Sequence, residues 1–231
     1  MTETKSEWGA RLAFGCYLAL LGGAFIGSVL LGSILSSMKL NFLNLPFPYA
    51  LIAVPVNEAI FLGVVLLFAS SKKLGFRKVS PKIVVIVSIV AVLLILLAVG
   101  IALVETEVFG PDPMADQYRN AIQPKDVFQL VALVAINLVL VGPVEEAAFR
   151  GFIQKGFENS FGKPMGLFAA SVLFGLVHGL DSPYNIVPIL AVGLVLGYVW
   201  QKTGGNTTAS ALMHGVYNST QFILLYFLTT A

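Results

Sequence analysis

The run IVVIVSIVAVLLILLAVGIALV, from Ile83 to Val104, contains no charged residue. As an α-helix rising ~1.5 Å per residue it extends roughly 33 Å, enough to cross a hydrocarbon layer of about 30 Å. Its flanks differ in charge. The preceding loop, 71–82, carries Lys72, Lys73, Arg77, Lys78 and Lys82 with no acid. The following loop, 105–126, carries Glu105, Glu107, Asp112, Asp116 and Asp126 against Arg119 and Lys125.

Six more apolar runs lie around this one, at 12–35, 48–70, 127–157, 164–181, 186–201 and 207–229. The expected fold is therefore an all-α, polytopic membrane bundle of about seven to eight transmembrane helices, forming a single transmembrane domain over 1–231. The whole-chain composition agrees. Of 231 residues, 57% are hydrophobic and 11% charged, against about 25% charged in soluble domains, and mean hydropathy is +0.88. Too few polar side chains exist to cover a water-soluble surface. An ordinary cytosolic enzyme, a nucleic-acid-binding domain and a disordered segment are thereby excluded. The partner expected from composition is membrane lipid.

Two details bear on processing and redox state. The first run is too long for a signal-peptide core and is read as a retained span. Cys16, the lone cysteine, excludes an intramolecular disulfide. Within the fourth run, Gly142-Pro143 predicts a kink or a helix restarting near Val144, because proline lacks an N–H and clashes one turn back. Gly23/Gly27 and Gly193/Gly197 have the spacing that lets helices approach closely, and packing within the bundle is the expected use.

Orientation follows from the basic residues. Seven spans with a cytoplasmic N-terminus leave only Lys39, Arg119 and Lys125, of 14 Lys and Arg, on the outer side. The protein is thus expected to be an integral multi-pass protein, in the plasma membrane if its host is prokaryotic.

Charge inside a bilayer costs several kcal/mol, so each ionisable group within a run needs a reason. Glu145, Glu146, Arg150, His178 and His214 fall in the last four runs, and both histidines of the chain are among them. Glu145 and His178 are equidistant from the loop 159–164. If that loop turns a helical hairpin, the two lie at one depth, within the membrane and nearer the cytoplasmic face. His214 enters from the same side. Glu146 and Arg150 are i,i+4, as are Phe174 and His178, and His214 and Asn218. Glu58, beside Asn57 in the second run, is read as a structural or gating partner, or else as lining the site.

Metalloprotease HExxH, a Gly-x-Ser-x-Gly elbow, a Gly-x-Gly-Asp and a Gly-rich phosphate loop are all absent. Carboxylate, imidazole and amide without a nucleophilic Ser or Cys suit activation of a water. An imidazole and an amide can also donate to an oxyanion. The motif region is 143–220.

Glu145-Glu146-Ala-Ala-Phe-Arg150, Phe174-Gly-Leu-Val-His178 and His214-Gly-Val-Tyr-Asn218, in that order, match EExxxR, FxxxH and HxxxN. In a polytopic chain they resemble the CPBP family, the type II CAAX prenyl endopeptidase and bacteriocin-processing group also called Abi. The resemblance implies an intramembrane endopeptidase cutting near the cytoplasmic face. In CAAX-cleaving members the substrate is a prenylated protein; a bacteriocin precursor is the alternative. The resemblance further implies that Glu145 and His178 activate the water and that His214 and Asn218 form the oxyanion site. Glu146 and Arg150 would orient them through an ion pair, with Phe174 packed alongside. Members are described both as metalloproteases and as metal-independent glutamate proteases. Zinc or another divalent metal, if used, would draw on Glu145, Glu146, His178 and His214. Two competing readings are a non-catalytic membrane partner, such as an immunity or regulatory protein, and a proton-coupled transporter.

Overall fold

The computed structural model describes residues 8–40 and 45–230. They form eight α-helices and no strand: α1 (Ala10–Ser37), α2 (Ala50–Phe68), α3 (Pro81–Phe109), α4 (Ala115–Ile122), α5 (Val127–Phe161), α6 (Lys163–His178), α7 (Ile186–Lys202) and α8 (Thr207–Thr230). Each of the seven apolar runs is a helix. Among the described residues, five helical segments are long and apolar enough to cross a membrane: α1, α2, α3, α5 and Pro183–Lys202, which contains α7. At 16 residues α6 is short of that length. The apolar character of α8 is diluted by His214, Asn218, Ser219, Thr220 and Gln221. Large apolar side chains such as Phe25, Leu96, Phe128 and Val139 point outward, as a lipid-facing surface requires.

At Gly142-Pro143, where a kink or a restart is expected, no restart occurs and the pitch of the helix changes. Helix α5 is continuous through it, with π turns at Asn137–Val141 and Ala147–Gln154 on either side of a short α-helical stretch, Gly142–Glu146. Pro143 cannot donate an N–H, and its ring presses on the preceding turn. Widening that turn relieves the clash without ending the helix. The expected six-residue hairpin loop is also shorter. Gly162 alone links α5 to α6, at φ +81°, a conformation glycine adopts without strain.

Helix α5 crosses α8 in backbone contact. A Cβ on Gly142 would lie 2.5 Å from the Ala211 carbonyl oxygen, and one on Gly215 would lie 2.9 Å from that of Asn137. Both small-residue pairs read from the sequence also pack within the chain. Gly23 and Gly27 receive Ile60, and Gly193 and Gly197 face Phe174 and Gln154.

The two ends of the bundle differ in charge. At one end Arg77 and Lys78 meet the start of α8 and the end of α7: Arg77 Nη2 donates to Gly204 O (2.7 Å), and Asn206 Nδ2 donates to Lys78 O (3.3 Å). The start of α1 joins the end of α5 there, through Ala10 N–H to Ser160 Oγ (2.8 Å). At the other end Ser182 Oγ donates to Asp112 Oδ2 (2.8 Å), and Lys125 Nζ donates to Leu45 O (2.8 Å). The first end gathers Arg11, Lys72, Lys73, Arg77, Lys78, Lys82, Lys155, Lys163 and Lys202. The second gathers Glu105, Glu107, Asp112, Asp116, Asp126 and Asp181.

Gly142→Val should lower the thermal midpoint of the detergent-solubilised protein, by the equivalent of about 1–3 kcal/mol or more, because the backbones cannot part without losing the crossing. Gly15→Ala, where a Cβ meets nothing within 4 Å, should leave the midpoint unchanged.

Candidate active site

Helix α5 carries Glu145 and Glu146 in the α-helical stretch between its two π turns. Consecutive residues on a helix point about 100° apart, so the two carboxylates face different neighbours. Glu146 is fully buried and turns into the bundle. Its Oε1 accepts from Arg150 Nη1 (2.9 Å) and from His214 Nδ1 (3.1 Å). Arg150, equally buried, donates from Nη2 to the Gly193 carbonyl (3.0 Å) and lies 4.5 Å from the centre of the Phe174 ring. The missing side chain at Gly193 exposes that carbonyl to the guanidinium. Gln154, one turn further, uses Gly197 O in the same way (3.3 Å).

Glu145 faces an internal chamber. Its Oε2 lies 3.9 Å from His178 Nε2 and 4.0 Å from His214 Nε2. The tautomers follow from what each ring's other nitrogen touches. His178 Nδ1 is 2.8 Å from Phe174 O, a carbonyl that can only accept, so Nδ1 carries the proton. His214 Nδ1 faces a carboxylate already paired with Arg150, so it also donates. Nε2 of each ring lies toward Glu145 Oε2, a buried oxygen with no hydrogen-bond partner. At 3.9 and 4.0 Å these contacts are too long for direct hydrogen bonds and have the length that a bridging water spans.

Asn218, one turn beyond His214, donates from Nδ2 to Asn137 Oδ1 (3.0 Å), leaving its second N–H free to turn to the chamber. Phe174 packs edge-on to His214, its ring centre 5.7 Å from the imidazole and 4.6 Å from that of His178. All seven residues singled out in the three motifs thus converge. Asn137 was missed by the sequence reading. It is buried at the start of the first π turn, bonds to Leu133 O (2.8 Å) and lines the chamber. An uncharged Asn inside the run 127–157 was the available signal. Glu58 also lines the chamber, buried and within hydrogen-bonding reach of Glu145.

The four residues read as a possible zinc set do not gather as ligands. Glu146 is engaged by Arg150 and His214 Nδ1, and among the described residues no group of three His, Cys, Asp or Glu side chains is arranged to hold a metal ion.

The chamber holds about 750 Å³. Glu145 is near the middle of α5, roughly 25 Å from either end at ~1.5 Å per residue. Part of its wall lies at the acidic end of the bundle. Helix α6 stops at His178, and Leu180 and Asp181 of the turn that follows line the wall. Tyr118 and Ile122, i,i+4 on α4, line it from above. Helix α4 lies outside the seven apolar runs and was not expected. Toward the basic end the way is closed, because every residue of α5 from Ala147 to Gln154 is buried and the Leu74 carbonyl rests on Gly151.

Residues 127–220 match the family model described as "Rce1-like: Type II CAAX prenyl endopeptidase Rce1-like". No curated protein and no solved structure matches the chain.

Arg150→Met should destabilise the protein by roughly 3–5 kcal/mol, since it leaves the Glu146 carboxylate buried without its cation. Adding Glu146→Gln should recover part of that loss. Denaturation of both variants in one detergent checks the expectation.

Proposed function

From the Rce1-like match over residues 127–220, which supports a membrane protease, we propose that this chain is an intramembrane endopeptidase that hydrolyses a peptide bond with a water activated by Glu145 and His178. The observation that carries the reading is Glu145 Oε2, buried without a hydrogen-bond partner and flanked by His178 Nε2 (3.9 Å) and His214 Nε2 (4.0 Å).

The chemistry then runs as follows. A water bound at that point donates to Glu145 and His178. As its oxygen attacks the substrate carbonyl carbon, its proton passes to Glu145. Charge develops on the carbonyl oxygen. Asn218 offers its free N–H to that oxygen. His214 is held through its Nδ1–H by the Glu146 carboxylate. When the tetrahedral intermediate collapses, the C–N bond breaks and the proton held by Glu145 moves to the departing amine. Glu146, Arg150 and Phe174 act by position. The ion pair fixes the His214 ring, and Phe174 separates the guanidinium from the two imidazoles while its carbonyl fixes the His178 tautomer. Glu58 lines the chamber beside Glu145.

Glu145→Ala and His178→Ala should each lower cleavage of a quenched-fluorescent, membrane-anchored peptide library by roughly 10²–10⁴-fold, the range lost with a general base. Their elution as folded protein in detergent should not change. Full activity in both variants would overturn the assignment. A non-catalytic membrane partner predicts no cleavage by the unaltered chain.

A further inference from the structure

We propose that Glu58 is a substrate-binding residue of the chamber, and that the peptide segment it takes carries a Lys or Arg side chain. That the segment is then cut rests on the peptidase reading above; that the chamber binds it does not.

The first observation is Glu58 itself. It lies on α2, outside the three motifs and outside residues 127–220, which the family model matches. Val54 and Phe61, one turn to either side, line the chamber with it. The side chain is only 4% exposed, and its Oε2 is buried with no hydrogen-bond partner. A carboxyl oxygen taken out of water without a donor destabilises the fold, so its retention calls for a use.

The second observation is the charge of the wall. Glu58 on α2, Glu145 on α5 and Asp181 after α6 all line the chamber, and among the described residues no Lys or Arg does. The cations of neighbouring segments are engaged elsewhere. Arg150 is held by Glu146 and the Gly193 carbonyl, Arg119 by Asp116, and Lys125 by Leu45 O. Three separate elements thus bring acidic groups to one cavity, and the chain brings no Lys or Arg to match them.

Both observations call for the same ligand chemistry. An ammonium or guanidinium brings the N–H donors that Glu58 Oε2 lacks and the positive charge that the wall attracts, and both count for more in a cavity shielded from water. The aliphatic stem of Lys or Arg suits the apolar part of the wall, which includes Leu21, Val54 and Phe61. A neutral apolar side chain would leave Oε2 unpartnered, and an acidic one would add like charge. Glu58 stands beside Glu145, so a side chain that reaches it holds the adjoining peptide bonds close to the water-activating carboxylate.

The test measures binding, on a His178→Ala background so that nothing is cut. Short apolar peptides bearing a neutral fluorophore differ at a single position, which is Lys, norleucine or Glu and is moved along the peptide. Norleucine keeps the stem of Lys and lacks the ammonium. Fluorescence anisotropy with the detergent-solubilised full chain gives each Kd. At a preferred position Lys should bind roughly tenfold or more tighter than norleucine, as one charge-assisted hydrogen bond provides, and Glu should bind most weakly. Adding Glu58→Gln should abolish the preference for Lys and leave the norleucine peptide's affinity unchanged, and Glu58→Asp should retain part of the preference. Equal affinity for Lys and norleucine at every position would overturn the proposal without recourse to any Glu58 variant. A Lys preference that survives Glu58→Gln, or binding of no peptide at all, would also overturn it. A Glu58-dependent Lys preference, in a chain whose unaltered form cuts none of these peptides, would sustain the proposal and count against the peptidase reading.

Discussion

The carboxylate of Glu146 holds four helices in one register. It lies on α5 and binds Arg150 on the same helix and His214 on α8 through a single oxygen. Arg150 reaches the Gly193 carbonyl on α7 and covers the Phe174 ring on α6. Each member would be costly alone in a low-dielectric interior, and the set is tolerable only because it is mutually paired. That mutual need is also what makes it specific. Shifting any one helix by a turn would leave an unpaired charge. The imidazole of His214 therefore inherits its orientation from a structural ion pair, and Glu145, the next residue along, is left to face the chamber.

Close backbone crossing makes this arrangement possible. Gly142 and Gly215 bring α5 and α8 into contact, so that a short carboxylate can reach an imidazole across the interface. The π turns that flank Gly142–Glu146 adjust which side chains meet the chamber. An α-helix would turn Asn137 about 80° away from Glu145 over eight residues, whereas the wider turns bring both to the same wall. Proline at 143 is the local reason for the first distortion. No equally local residue accounts for the second.

Much of this was visible in the amino-acid order, for a physical reason. In a chain so apolar, a charged or strongly polar residue inside a run is expensive and stands out. Glu145, Glu146, Arg150, His178 and His214 could be recognised that way, with Asn218 following from its spacing to His214. The helices followed from the apolar runs. Three features did not. Asn137 is uncharged and sits outside any paired motif, so it carried no signal of expense. Helix α4 is short, polar and amphipathic, and within an acidic loop its pattern does not differ from a connecting segment. The part of the chamber wall formed by Leu180 and Asp181 depends on α6 ending at His178 while α5 continues, a difference in helix length that hydropathy blurs by several residues.

A hydrolytic site must have a polypeptide that it cuts. The most direct measurement recovers peptides held by the full-length Glu145→Gln protein from membranes, identifies them by mass spectrometry, and returns the same peptides to the unaltered protein. A water-activating peptidase predicts that each is cut at one bond, with the new carboxyl oxygen drawn from ¹⁸O-labelled solvent. Peptides that bind the variant and remain intact with the unaltered chain would contradict a peptidase.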